Sequence, residues 1–237
     1  MLPNVRSFGI AAILGLGLLA LPAGATFHLI QIEQAIGGVC GDTAQQAVQL
    51  RMRSAGQNQV SAKQIVAYDA AGLNPVVLVT FPSNVAVSSS GARILVATSA
   101  FATAQGFTPD FTISSPIPSS YLAAGRLTFE GPALTVWGLA WGGAGYTGPN
   151  TGSMDNDPDG NYGPPWAGLL PSGTDQALRF LGAATALSTS NAADYALTPA
   201  EATFTRNNGT SVTVGDCFLF SDGFESGDTA GWAITLP

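Results

Sequence analysis

Downstream of residue 26 this chain is written in short apolar stretches of period two, and no long stretch carries a period of 3.6. Successive side chains of a strand point to opposite faces, whereas a buried helix face needs apolar residues three and four apart. Phe27 to Ala35 sets Leu29, Gln31 and Glu33 against His28, Ile30 and Ile32. Ala47 to Met52 sets Val48, Leu50 and Met52 against Gln49 and Arg51, so Ala44 to Arg53 reads as a strand rather than a short helix. Val76 to Phe81 and Ile94 to Thr98 are continuous apolar runs, as expected of strands buried on both faces. Arg126 to Glu130, Thr135 to Trp141, Ala177 to Leu181 and Thr210 to Val214 extend the series. Turn residues separate them at Ala71-Gly72, Pro82-Ser83-Asn84, Ser90-Gly91 and Asn207-Asn208-Gly209. The expectation is an all-β sandwich.

The first residues follow a different rule. Arg6 precedes an uncharged apolar run, Phe8 to Leu21, and Ala23-Gly24-Ala25 fits a small-x-small cleavage site. The run is about 14 residues, short of the roughly 20 that span a bilayer. Residues 1–25 therefore read as a signal peptide, with an uncleaved N-terminal anchor as the alternative. Residues 26–220 read as one domain and 221–237 as an irregular tail. No second long apolar run follows, so the chain is expected to be secreted, extracellular or periplasmic, with no transmembrane segment after cleavage.

Charge narrows the partners. Eight basic residues stand against 15 acidic ones, and Lys63 is the single lysine. Phosphate backbones are held by clustered Lys and Arg, so nucleic acid is not expected as a partner. Charged residues make up only 10% of the chain, so Ser, Thr, Asn, Gln and Gly must solvate the surface.

Cys40 and Cys217 are the two cysteines, near opposite ends of the exported chain. In an oxidising compartment one bridge is expected, with two separate thiols as the alternative. No CxxC or paired His accompanies them, which argues against a zinc role.

Residues 142–175 are rich in Gly, Pro and Asn and almost aperiodic. Asp155-Asn156-Asp157-Pro158-Asp159-Gly160-Asn161 is a D-x-D-x-D-G string, in which alternate carboxylates can converge on one hard cation while Gly permits a sharp turn. Asp155, Asp157, Asp159 and Asn161 are thus candidate Ca²⁺ ligands. Trp166 stands where a calcium loop of the helix-loop-helix type has its bidentate Glu, so a remote carboxylate such as Asp175 or Glu130, or water, must complete the shell. The competing reading is an acidic solvated turn; the residues leave both open.

Catalytic equipment is sparse. His28 is the only histidine, no G-x-S-x-G occurs, and oxidised cysteines offer no thiolate. A hydrolase with dispersed carboxylates, drawn from Glu33, Glu130, Glu201 and Glu225, is an alternative, but nothing singles out two of them. A non-catalytic binding or structural module is expected, with an unknown protein or a glycan at the cell surface as partner. Tyr146, Tyr162 and Trp166 are the candidate binding aromatics, which makes a carbohydrate-binding module a further alternative. Trp137 and Trp141, four apart on one strand, are expected in the core.

Several segments in order carry a resemblance. FHLIQIEQAIGG, AQQAVQLRMRSAG, QIVAYDAAGLNPVVLVTFPSNVAVSSSGARILVAT, LAWGGAGYTG, ALRFLG and NAADYALTPAEATFTRNNG resemble successive strands of the lamin-tail domain family in its bacterial secreted form. Gln46 and Gln49 stand where that pattern carries acidic residues, and Tyr195 where it carries Phe. The resemblance implies an immunoglobulin-like β-sandwich and a role in attachment or interaction, with no catalytic residues to carry over. The tail segment DGFESGDTAGW resembles a short segment found at the ends of many bacterial exported proteins.

Overall fold

The structure is a computed structural model that describes residues 28–131, 134–215 and 217. The signal-peptide reading of residues 1–25, Glu225 and the tail from 221 lie outside them.

Among the described residues, twelve strands account for most of the regular structure. They are β1 (Ile30–Ile36), β2 (Ala47–Met52), β3 (Gln64–Tyr68), β4 (Val76–Thr80), β5 (Arg93–Ala97), β6 (Phe111–Thr112), β7 (Gly125–Gly131), β8 (Leu134–Trp141), β9 (Leu178–Phe180), β10 (Tyr195–Leu197), β11 (Thr203–Thr205) and β12 (Ser211–Thr213). Helices α1 (Ser99–Ala104) and α2 (Asn191–Asp194) are short. One sheet runs β10-β9-β1-β2-β5-β6 and the other β4-β3-β7-β8, while β11 and β12 form a separate ribbon. All pairings are antiparallel except β5 with β6.

The two large sheets form an all-β sandwich. Ile30, Ile32, Val48, Leu50, Ile94 and Val96 from one share a single core with Ile65, Leu78, Leu127, Phe129, Trp137 and Leu139 from the other. Each such side chain, fully buried, contributes about 1.5–3 kcal/mol. Trp137 and Trp141 are both fully buried in this core, as their spacing predicts.

The outer face of the six-stranded sheet is covered as well. Ile36, Ala47, Leu95 and Ala97 pack against Phe101 of α1 and Phe204 of β11. The polar residues of that face are therefore buried too. Glu33 is fully buried and meets Arg51 at 3.0 Å and Arg93 at 2.7 Å, and Gln49 donates to it at 2.7 Å. Gln49 also accepts from the Thr205 amide, and Gln34 donates to the Thr203 carbonyl, which fastens β11 to the sheet. Glutamines at 46 and 49 are thus structural: Gln46 likewise bonds both the amide and the carbonyl of Ile117.

The structure corrects two readings of the sequence. The run at 94–98 is buried on both faces, but β4 is not: Val77 is 38% exposed, because β4 is the edge of its sheet. Helix α1 has no sequence signature of its own. Thr98 caps it through the Phe101 amide, and a single buried residue, Phe101, anchors it, which is too few for a visible period.

Cys40 and Cys217 form a disulfide across a sequence separation of 177 residues, with Cα atoms 5.1 Å apart. Among the described residues no helix is long and apolar enough to cross a membrane.

Candidate functional site

The long irregular segment lies against the sandwich instead of projecting from it. Trp166 bridges to Trp141, its amide donating to the Ala140 carbonyl at 3.0 Å. Thr151 bridges to Asn161, so residues between them form a closed turn. Gly160 closes it in the left-handed region, at φ 71°, which a glycine adopts without steric cost.

Inside that turn the three carboxylates do not converge on one point. Asp155 leaves for His28, whose Nδ1 lies 2.8 Å from its Oδ2, and the Ser153 hydroxyl donates to the same oxygen at 3.2 Å. Asn156 is fully buried and donates to the carbonyls of His28 at 2.6 Å and Val136 at 2.8 Å. Arg53 donates to the Asn156 side chain and to the Asp155 carbonyl, both at 2.8 Å, and to Thr185 and Ala186 as well. The turn is therefore fastened through Asn156 to the segment before β1, to Arg53 just after β2 and to β8, by a residue that no metal-loop pattern singles out.

Asp157 is also fully buried. Its Oδ1 accepts the amides of Asp159 at 3.1 Å and Asn161 at 3.0 Å, while its Oδ2 is buried with no hydrogen-bond partner. Burial raises its pKa above the ordinary carboxylate value, and the adjacent Asp159 carboxyl adds to the rise. Asp159 accepts the Asn161 amide at 2.9 Å, and Asn161 spends its own side-chain oxygen on the Gly163 amide at 3.1 Å. The expected set of Asp155, Asp157, Asp159 and Asn161 is thus not gathered: Asp155 is drawn off by His28 and only Asp157 and Asp159 stay side by side. Among the described residues no three His, Cys, Asp or Glu side chains surround a common metal-sized space. The expected remote carboxylate is not recruited from Glu130, which accepts from Tyr68 at 2.8 Å and Thr128 at 2.6 Å.

The aromatic set is also divided. Tyr162 is fully buried, its hydroxyl 3.1 Å from the Val136 carbonyl and 3.2 Å from that of Ser153, and its ring is edge-on to Trp137. Tyr146 is 5% exposed and donates to the Pro149 carbonyl at 2.9 Å. Neither ring is available for stacking on a ligand. Both phenols have pKa values raised first of all by burial.

Trp166 alone stays half-buried. One side packs against the core, with Gly168 close enough that a Cβ there would come within 2.3 Å of the indole. Its other side lines an open groove of about 500 Å³ with Leu169, Pro171, Thr174, Gln176 and Leu197. Leu197 also borders a second depression of about 170 Å³ that contains Leu181, Arg179 and Pro199. Leu169, Leu197 and Leu181 are 55%, 41% and 64% exposed, so an apolar strip runs along the edge strand β10. The sequence reading missed this strip, because its residues come from three separated segments.

No known family matches the chain, and neither a curated protein nor a solved structure is significantly similar to it.

Proposed function

We infer that the protein is a non-catalytic binding module, exported to the envelope or beyond, and that the strip of Trp166, Leu169, Leu197 and Leu181 holds an extended polypeptide partner. The observation that carries this reading is Leu197, which stands exposed on β10 between the two depressions. An edge strand offers unpaired backbone groups, and apolar pockets beside it can take alternate side chains of an added strand. Exposed apolar strips of this kind mark interaction surfaces more often than chance. The export-type N-terminal pattern and the disulfide support a location outside the cytoplasm. The lamin-tail resemblance supports an attachment role.

The carbohydrate-binding alternative retains only Trp166 of its three rings. The hydrolase alternative loses Glu33, which is consumed by Arg51 and Arg93.

The test is a binding screen of the purified protein against separated envelope proteins and against a glycan array. Specific capture of a protein, lost in Leu197→Asp and Leu169→Asp variants with unchanged melting temperature, is the expected result. Glycan binding with no protein capture would replace this reading with the carbohydrate one. Turnover of a chromogenic glycoside or ester, abolished by one Glu→Gln change, would overturn both.

A further inference from the structure

The groove beside Trp166 lies on an open side of the sandwich. One wall carries Leu197 of β10, the edge of the six-stranded sheet. Another is the segment from Trp166, which continues the second sheet beyond β8 through the Trp141–Trp166 bridge and the bond from the Gly142 amide to the Gly168 carbonyl. Ser172, Gly173 and Thr174 complete the lining. These last residues are tied to the disulfide. The Cys40 amide donates to the Thr174 carbonyl at 3.2 Å, the Gly41 amide donates to the Ser172 carbonyl at 2.9 Å, and Cys40 is bonded to Cys217. The bridge therefore delivers the chain to one wall of the groove. The three residues that follow Cys217 are Phe218, Leu219 and Phe220, all apolar.

Charge points the same way. The second depression, which shares Leu197 with the groove, carries the exposed Arg179, whose register partner on β10 is Ala196. Asp222 and Glu225 follow the apolar trio. In an extended chain Phe218, Phe220 and Asp222 share one face. Five residues beyond Cys217 reach about 17 Å when extended, against about 5 Å between neighbouring strands.

We propose that residues 218–222 of this chain dock in cis along β10, with Phe218 and Phe220 in the groove between Trp166 and Leu197 and the Asp222 carboxylate at Arg179. The contact rests on the reading of this strip as a polypeptide groove and adds its regulation: an external partner must displace the chain's own segment. Tethered by the bridge, that segment is present at an effective concentration of about 10⁻³ M, so weak intrinsic affinity fills the groove.

The test is amide hydrogen exchange, read by mass spectrometry, on the full disulfide-closed chain. The amides of residues 218–222 and of β10 are expected to exchange at least about tenfold more slowly in the parent than in a Phe218→Ser, Phe220→Ser double variant, with β2 and β7 unchanged as the control for folding. A synthetic peptide of residues 218–229, added in trans, is expected to bind the double variant and not the parent, and to bind about two- to fivefold more weakly when Arg179→Gln is also present. Equal exchange at residues 218–222 in parent and double variant overturns the contact, as does a peptide that binds both equally or neither. Protection that grows with protein concentration assigns the occupant to a second copy and overturns the contact in cis. The two readings fail separately. Capture of an envelope protein that depends on Leu197, with residues 218–222 unprotected, keeps the groove and removes its internal occupant. Protection without capture of any partner keeps the internal contact and removes the external one.

Discussion

The indole N–H of Trp137, on β8, donates to the hydroxyl of Tyr195, on β10, at 2.7 Å, and that hydroxyl in turn donates to the Ile32 carbonyl at 2.6 Å. One phenolic oxygen therefore links the two sheets through the middle of the core. Tyr195→Phe leaves a buried indole N–H and a buried carbonyl without this partner. The expected loss is about 1–3 kcal/mol in denaturant unfolding followed by tryptophan fluorescence. A variant as stable as the parent would mean that the bond contributes nothing net.

Glu33 is a second buried anchor, held by Arg51, Arg93 and Gln49. Glu33→Gln removes the charge and leaves Arg51 buried without its counter-ion. Breaking a buried pair from one side costs about 3–5 kcal/mol, to be read from the urea midpoint at constant slope. Replacing an exposed carboxylate, Glu201→Gln, serves as the control and is expected to change stability by under about 0.5 kcal/mol.

The Cys40–Cys217 bridge closes nearly the whole described chain. Purified protein is expected to show no thiol titre when denatured without reductant. A Cys40→Ser, Cys217→Ser double variant is expected to lose up to about 5 kcal/mol in the chain-entropy account, less where the unfolded chain keeps structure.

Asp157 predicts a pH dependence of definite sign. Its folded pKa is raised, first by burial and then by Asp159, so the folded state holds the proton more tightly than the unfolded chain does. Its contribution to stability is full below the ordinary carboxylate pKa and is lost as pH rises through the raised folded value. The stability difference between the parent and Asp157→Asn should therefore shift against the parent as the pH is raised from the ordinary carboxylate range towards neutrality. Taking the difference cancels Asp42 and Asp69, whose lowered pKa values act in the opposite sense. A flat difference across that range would contradict the raised pKa.

Much of the β architecture is readable from local pattern. Strands β1, β2, β5, β7 and β8 lie where period two or a continuous apolar run places them. Gly72, Gly91 and Gly209, all at positive φ, mark turns that the sequence announces. The short strands β6, β10 and β11 carry two or three residues each, too few for a period to register, and their partners supply the order that they lack.

The site was legible only in part. The acidic string is visible in the sequence, but the fate of each carboxylate depends on what the fold brings beside it. His28 lies 127 residues from Asp155, and Arg53 lies 103 residues from Asn156. Tyr146 and Tyr162 sit in a segment whose Gly and Pro content reads as exposed, yet both are buried because that segment lies against β8.

By itself, then, the amino-acid order determined most of the long strands, the turns and the buried pair Trp137 and Trp141, because each of these depends on neighbours a few positions away. Tertiary structure alone decided which sheet edge stays open at β10, which of three aspartates is drawn off by a histidine, and which of three aromatic rings faces solvent. Those outcomes depend on side chains more than a hundred positions apart, or on what covers an outer face, and period and spacing along a chain carry no record of either.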